Sequence, residues 1–501
     1  MTDFEASAAT QARAAWLAAH ARIGRLLDPG SAIELGLPDH GCIVRGTMQG
    51  WPVLVQADLP GIPASPEPGQ DAPATRTRGS ARSRTPGGPP TPTAAFPTAP
   101  MMATAPAMAA ALGIPFVRLL LPVDDIGTGP PADDGAAPMA APGDDDWAAL
   151  HALLAQVPVI TLLASPHTTA RPSAATASRD GQPDQCRHDA LDALRLLCSH
   201  VALAVSHAGA AGPARSHLPV DIRADDDDEA FASVRQAIAC LQRQPAAAPP
   251  VPQDPGVPGA ALPPRDRRVA WNPRELLAAV LDAGTLLELG PEPATALCTG
   301  FARVDGVAVV VIAGDDREHA PLWHAQHAQR GLRMLRLATT FGLPVVLLVD
   351  GPGVAAGALP ALSAEAAEPA ATDALRAIAA LRAALSVPGL ATCTLATRTW
   401  YADAPGAQRR AGVQLRYAWP SALRFELDDA TSAAALAALL ATTPDPAGLR
   451  DDIEAIRAPA RAAQRALEQA VVDALVAPAD TRRRLQEFVA LVARGVRRHP
   501  P

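Results

Sequence analysis

Leu27-Asp-Pro-Gly-Ser-Ala-Ile-Glu-Leu-Gly36 reappears downstream as Leu281-Asp-Ala-Gly-Thr-Leu-Leu-Glu-Leu-Gly290. This duplication decides the fold, because a stretch that recurs with its surroundings in order marks two copies of one unit. After each copy a turn separates two apolar runs: Gln49-Gly50 before Trp51-Pro-Val-Leu-Val, and Asp305-Gly306 before Val307-Ala-Val-Val-Val. Asp-Gly is a strong hairpin signal and Gln-Gly a weaker one. Further on, Gly113-Ile-Pro-Phe-Val-Arg-Leu-Leu matches Gly342-Leu-Pro-Val-Val-Leu-Leu-Val, and Gln156-Val-Pro-Val-Ile-Thr-Leu-Leu is set against Ser386-Val-Pro-Gly-Leu-Ala-Thr-Cys. Pro115 to Pro158 spans 43 residues and Pro344 to Pro388 spans 44, so the order and the spacing agree. Gly50 to Gly113 spans 63 residues against 36 for Gly306 to Gly342. The first copy therefore carries about 27 extra residues, accounted for by a Pro/Ser/Arg/Thr-rich segment at about 60–97 that lacks the apolar surface to fold.

Within each copy helix and strand signals alternate. Asn272 and Pro273 read as a cap and first helical position, with Leu276, Leu277, Val280 and Leu281 as the apolar face and Gly284 beyond its end. Val307–Ala313 and Val345–Val349 read as buried strands, and 373–385 as a helix between strands. A Pro-rich linker at 245–264 divides the chain into an N-terminal half, 1–244, and a C-terminal half, 265–498. Beyond Asp451 an Ala/Arg/Leu-rich stretch reads as helical to about Arg498.

The chain has 501 residues, 43 basic and 51 acidic side chains, a formal charge of −8 and 49% hydrophobic residues. No lysine occurs among the basic residues. An acidic chain without a basic block is a poor nucleic-acid surface. The longest uncharged run is broken by prolines, so no membrane span is expected. Six cysteines are scattered without a C-x-x-C pair, which argues against a zinc ribbon, and no metal is expected. The N-terminus lacks a basic-then-apolar pattern, and a cytoplasmic location is the expectation. Asp225 to Glu229 precedes a helical pattern and suits a helix N-terminus better than a metal site. His319, His324 and His327, and Cys186 with His188, read as solvated or loop residues rather than as ligands or a nucleophile.

The sequence resembles the carboxyltransferase β-subunits of biotin-dependent acyl-CoA carboxylases (the propionyl-, acetyl- and methylcrotonyl-CoA group). The residues that carry the resemblance are Arg22-Ile-x-x-Leu-Leu-Asp-Pro-Gly-Ser31, Thr299-Gly-Phe-Ala-Arg-Val-Asp-Gly306, Gly342-Leu-Pro-Val-Val-Leu-Leu-Val-Asp-Gly-Pro-Gly353, Tyr417-Ala-Trp-Pro-Ser-Ala422 and Pro478-Ala-Asp-Thr-Arg482. The resemblance implies an α/β fold, a tandem pair of crotonase-like domains. It also implies an acyl-CoA thioester as substrate, carboxybiotin supplied by a biotin carboxylase/biotin carboxyl carrier subunit, and an oligomer, a hexamer by family, homomeric or mixed. Asp350, Gly351, Pro352 and Gly353 resemble the family's turn beside the biotin site, although a plain strand-ending turn reads the same way.

The family's chemistry needs two oxyanion holes, formed by backbone N–H groups in Gly-Gly turns. Counting along the chain puts the first at Thr169 and Ala170 and the second at Thr399 and Trp400, with Ala402-Asp403 reached by a local gap. None of these is a glycine pair, and losing the donors of one hole costs on the order of 3–4 kcal/mol of barrier. Three functions stay open: carboxyl transfer with divergent donors, a non-catalytic paralogue assembling with an active subunit, and a biotin-independent malonyl-type decarboxylase.

Overall fold

In a computed structural model the protein is described at residues 16–35, 42–58, 105–121, 154–164, 196, 199–205, 219–243, 261–264, 271–290, 297–315, 325–351, 376–401 apart from 378 and 382, 413–425, 467 and 471–498. The 60–97 insertion and nearly all of the 245–264 linker lie outside these residues. The chain divides into two compact units, 1–218 with 224–231, and 219–223 with 232–501.

The first unit opens with a helix, α1, over residues 16–26. Then come β1 (Ile33–Glu34), β2 (Cys42–Met48), β3 (Trp51–Asp58), helix α2 (Ala105–Leu112), β4 (Phe116–Leu120), β5 (Val159–Leu163) and β6 (Val201–Val205). β1 to β3 pair antiparallel, whereas β3 to β6 run parallel in sequence order. β7 (Ile222–Ala224) ends this seven-stranded sheet and leads into α3 (Asp227–Leu241). The acidic block stands in the first turn of α3, where the helix dipole favours it, and Phe231, Val234, Ile238 and Leu241 are buried as their spacing requires.

The second unit repeats the plan. Helix α4 (Pro273–Val280) starts on Asn272, whose side chain accepts the Arg274 N–H, with Pro273 at the first position. β8 (Leu287–Glu288), β9 (Leu297–Val304) and β10 (Val307–Gly314) pair antiparallel. Helix α5 (Ala325–Phe341) leads to β11 (Val345–Gly351), and helical residues within 376–385 lead to β12 (Thr392–Tyr401). β13 (Gln414–Ala418) and the short β14 (Leu423–Phe425) both pair with β12. β15 (Ala474–Leu475) and the long helix α6 (Thr481–Arg498) complete the unit. β10 to β13 and β15 are parallel, so their carboxyl ends share one edge of the sheet.

The repeat is visible bond by bond. Asp28 accepts from the backbone N–H groups of Gln49 and Gly50, 2.8 Å each, and Asp282 accepts from those of Asp305 and Gly306 at 3.1 and 2.8 Å. All four turn residues have positive φ, as a two-residue hairpin turn demands. Asp28 N–H donates to Thr47 O and Asp282 N–H to Arg303 O; Ser31 Oγ bridges Asp28 O to Thr47 N, and Thr285 Oγ1 bridges Asp282 O to Arg303 N. One conserved geometry thus ties helix end to hairpin in each half.

Two expectations need correction. The pairing of Phe116 with Val159 and of Val345 with Thr392 makes Pro158 equivalent to Ala391, not to Pro388. Pro388 and Gly389 form the turn before β12, and Gly389 takes φ +90. The stretch beyond Asp451 is also not one helix. Ala474–Leu475 is a strand laid on Tyr417 and Ala418, and Pro478 permits only a 3-10 turn before α6 begins. Pairing the open edge of β13 outweighs the helical propensity of this Ala-rich segment.

Asp282 differs from Asp28 in one respect. Its side chain is fully buried and also takes a 2.7 Å bond from Arg482, whose other donors reach Val280 O and Leu281 O. Asp282→Ala is therefore expected to cost about 3–5 kcal/mol by stranding a buried guanidinium. Asp28→Ala, at a turn open to water, is expected to cost about 1–2 kcal/mol. Urea unfolding of the two variants checks the difference.

Candidate functional site

The candidate site is built on the carboxyl edge of the second sheet, where β10, β11, β12 and β13 end side by side. Parallel strands with crossovers leave a crevice at this edge, and ligands of α/β sheets bind there. β10 and β11 are apolar through their middles. β12 is buried and apolar at Leu395 and Ala396, then places Thr397 and Arg398 under cover at 0% and 5% exposure. Thr397 Oγ1 has no hydrogen-bond partner among the described residues. An unsatisfied buried hydroxyl costs about 1–3 kcal/mol, so its retention at this edge marks the place. At the end of β10, Asp315 is buried at 2% and accepts from Arg274 at 2.5 Å, while Arg274 also grips Glu288.

Of the residues expected from sequence, Gly351 and Trp400 come together. β11 and β12 pair so that Gly351 stands opposite Trp400, after an irregularity between Val349 and Gly351. Asp350 and Gly351 are the last residues of β11; Pro352 and Gly353 lie outside the described residues. Thr399 and Trp400 lie in extended strand, paired on the other side with Leu423 and Arg424 of β14. Their backbones therefore belong to a ladder and not to a turn. Thr169 and Ala170 lie outside the described residues, as do Cys186, His188, His319 and His324. His327 sits on α5, half-buried.

Sequence reading missed Thr397, Arg398 and Asp315. For Arg398 the signal was a charged residue within a strand otherwise free of charge; Thr397 resembles Thr392 and Thr394 earlier in the same strand. Nothing in the sequence around Asp315 marked it as buried. Two motifs that carried the resemblance turn out to hold the unit together. Trp419 is buried and donates from Nε1 to Thr481 Oγ1 at 3.0 Å, and Arg482 holds Asp282.

The buried cysteines are poor nucleophile candidates. Burial pushes the thiol of Cys240 from an ordinary 9.0 up to about 11, and that of Cys298 to about 12 with help from Glu288; Cys393 is also raised by burial. They stay neutral at pH 7. Because the folded state holds these protons more tightly, their stabilising contribution is complete below pH 9 and is lost as pH rises through the folded values. Unfolding free energy is expected to fall above pH 9, with a smaller slope in Cys298→Ala. Thr397→Val removes an unpartnered hydroxyl at nearly constant volume. It is expected to leave stability unchanged or raised by about 1 kcal/mol, measured by thermal unfolding.

Residues 217–363 match the carboxyl transferase domain family. The propionyl-CoA carboxylase carboxyltransferase subunit of Haloferax mediterranei is 29% identical over 229 residues, 44% of this chain and 42% of that protein. The acetyl-/propionyl-CoA carboxylase β6 subunit of Mycobacterium tuberculosis is 30% identical over 240 residues, 46% of this chain and 48% of that one. The matched stretches thus span about half the length of these relatives. A methylmalonyl-CoA decarboxylase subunit α from Veillonella parvula is 31% identical over 97 residues, 19% of each chain. Among solved structures, transcarboxylase 12S with methylmalonyl-CoA and methylmalonic acid bound shares the fold over 95% of this chain and 89% of its own, with a TM-score of 0.64 and 18% identity. A single-chain long-chain acyl-CoA carboxylase shares it over 94% of this chain and 46% of its own, with a TM-score of 0.59 and 20% identity. The chain thus holds two α/β units in tandem, shares its fold with transcarboxylase 12S, and is similar over part of its length to the carboxyltransferase subunits of biotin-dependent acyl-CoA carboxylases.

Proposed function

We propose that this chain is a carboxyltransferase subunit that moves a carboxyl group between carboxybiotin, carried by a partner subunit, and the α carbon of an acyl-CoA. The observation that carries this reading is the carboxyl edge of the second sheet, where Gly351, within the matched stretch, pairs with Trp400 and where Thr397 and Arg398 are buried. Carboxybiotin and acyl-CoA are both substrates here. The subunit would work in the cytoplasm, in an oligomer, with a biotin carboxylase/biotin carboxyl carrier subunit.

The strand register bears on the donors. Val159 and Thr392 are equivalent, and the same offset sets Thr169 and Ala170 against Ala402 and Asp403, the residues that follow β12. We therefore propose that the backbone donors of the second oxyanion hole are those of Ala402 and Asp403, and keep Thr169 and Ala170 for the first. Backbone N–H groups can serve there without glycine, although Asp403 brings negative charge to a place that must stabilise an oxyanion. Asp350 to Gly353 would flank biotin from the end of β11.

A second reading is favoured by the absence of a glycine pair at either position: a non-catalytic subunit that assembles with an active carboxyltransferase. One assay separates the readings. Purified chain is given malonyl-CoA or methylmalonyl-CoA with and without free biotin, and loss of the carboxyl group is followed. Biotin-dependent loss is expected, and it should fall at least tenfold in Thr397→Val. Loss without biotin makes the chain a decarboxylase. No loss above a heat-killed control overturns the enzymatic reading in favour of the assembly role.

A further inference from the structure

Away from the carboxyl edge, the first unit gathers three side chains with no evident structural task. His20 lies on α1, Glu34 ends β1 and Cys42 begins β2. The register explains how two of them meet. Glu34 pairs with Val44, so Cys42, two residues earlier on β2, projects on the same face as a diagonal neighbour. His20 comes down from the helix, its ring 4.0 Å from that of Trp16 one turn earlier. One ligand-capable atom of each residue lies within 4.8 Å of the other two. His20 Nε2 is 3.6 Å from Glu34 Oε1, too long for a hydrogen bond, and this nitrogen is buried without a hydrogen-bond partner.

The second unit shows what belongs in this place. The bond-by-bond repeat makes Asp28 equivalent to Asp282 and Thr47 equivalent to Arg303, which sets His20 against Arg274, Glu34 against Glu288 and Cys42 against Cys298. In the second unit Arg274 fills the position with a guanidinium that binds Glu288 through two nitrogens. Carboxylate and cysteine recur in the first unit, but the built-in cation is replaced by an imidazole.

We propose that His20 Nε2, a Glu34 carboxylate oxygen and Cys42 Sγ bind one divalent transition-metal ion, zinc by the chemistry of its donors. Bonds of about 2.0–2.3 Å from a tetrahedral centre separate ligand atoms by roughly 3.3–3.8 Å, so the observed spacing closes around an ion with small side-chain adjustments. A fourth position remains for water. Binding deprotonates the thiol, and its proton leaves to solvent. One thiolate, one carboxylate and one neutral imidazole then balance the ion's two charges. Without the ion the thiol is held protonated, because burial and then Glu34 push it up to about 11; metal affinity should therefore rise with pH. The ion would pin α1 to the edge hairpin, doing for the first unit what Arg274 does for the second. The expectation of no metal weighed cysteine pairs, the Asp225–Glu229 block and the histidines at 319–327, but not residues as far apart in sequence as His20, Glu34 and Cys42.

The test uses the full chain, stripped with chelator and titrated with Co(II) and then Zn(II). One equivalent of Co(II) should produce a near-ultraviolet thiolate charge-transfer band and visible bands of tetrahedral intensity, both removed by Zn(II). Zinc should raise Tm by several degrees. Cys42→Ser should abolish the charge-transfer band, and His20→Gln and Glu34→Gln should each weaken binding at least tenfold with far-ultraviolet circular dichroism unchanged. Absence of the band in the parent protein, or its survival in Cys42→Ser, overturns the proposal. If Cys42→Ser does not fold, unweakened one-to-one binding in both other variants overturns it.

Discussion

The carboxylate of Asp282 is the constraint on which the second unit depends. It is fully buried, and it receives two backbone N–H groups of the Asp305-Gly306 turn and one guanidinium nitrogen of Arg482. Those bonds join the end of α4, the β9–β10 hairpin and the start of α6, three elements far apart in sequence. A buried charge of this kind is tolerable only when it is paired and hydrogen-bonded, so the three elements are held in one arrangement. The Trp419 indole, bonded to Thr481 one residue before Arg482, fastens the end of β13 to the same helix start.

From this anchor the functional edge follows. With α4 and the hairpin fixed, β10 enters the sheet in one register, and β11, β12 and β13 add to it as parallel neighbours. β11 and β12 run furthest at their carboxyl ends, which brings Gly351 opposite Trp400 with buried Thr397 and Arg398 just before it on β12. Catalysis in such a site rests on donors aimed by rigid strands, and a register change of one residue would turn every side chain of a strand to the other face. The first unit uses the same plan with Asp28 in place of Asp282, but its turn is open to water.

Much of the fold was legible in the sequence because the signals were local. The cap at Asn272, the turn at Asp305-Gly306 and the apolar spacing of α3 all formed as read. The site was less legible. Pro158 and Pro388 look equivalent along the chain, yet the backbone pairs Val159 and Thr392 with their neighbours, a difference of three residues. A turn before a strand can absorb such a difference at little cost, so residue counting from the proline set the two halves three residues out of register. The Ala-rich stretch near 474 failed for another reason, since an unpaired strand edge captured two residues that prefer helix.

By itself the sequence determined that two copies of one α/β unit lie in tandem, because repeated motifs, hairpin turns and capping residues act through bonds between near neighbours. It also determined which side chains are available. Tertiary structure alone decided which of them meet: Arg482 with Asp282, Gly351 with Trp400, and His20 with Glu34 and Cys42. Those encounters depend on strand register and on where a helix settles against a sheet. Both are set by burying apolar surface over the whole unit, a sum that no single stretch of sequence contains.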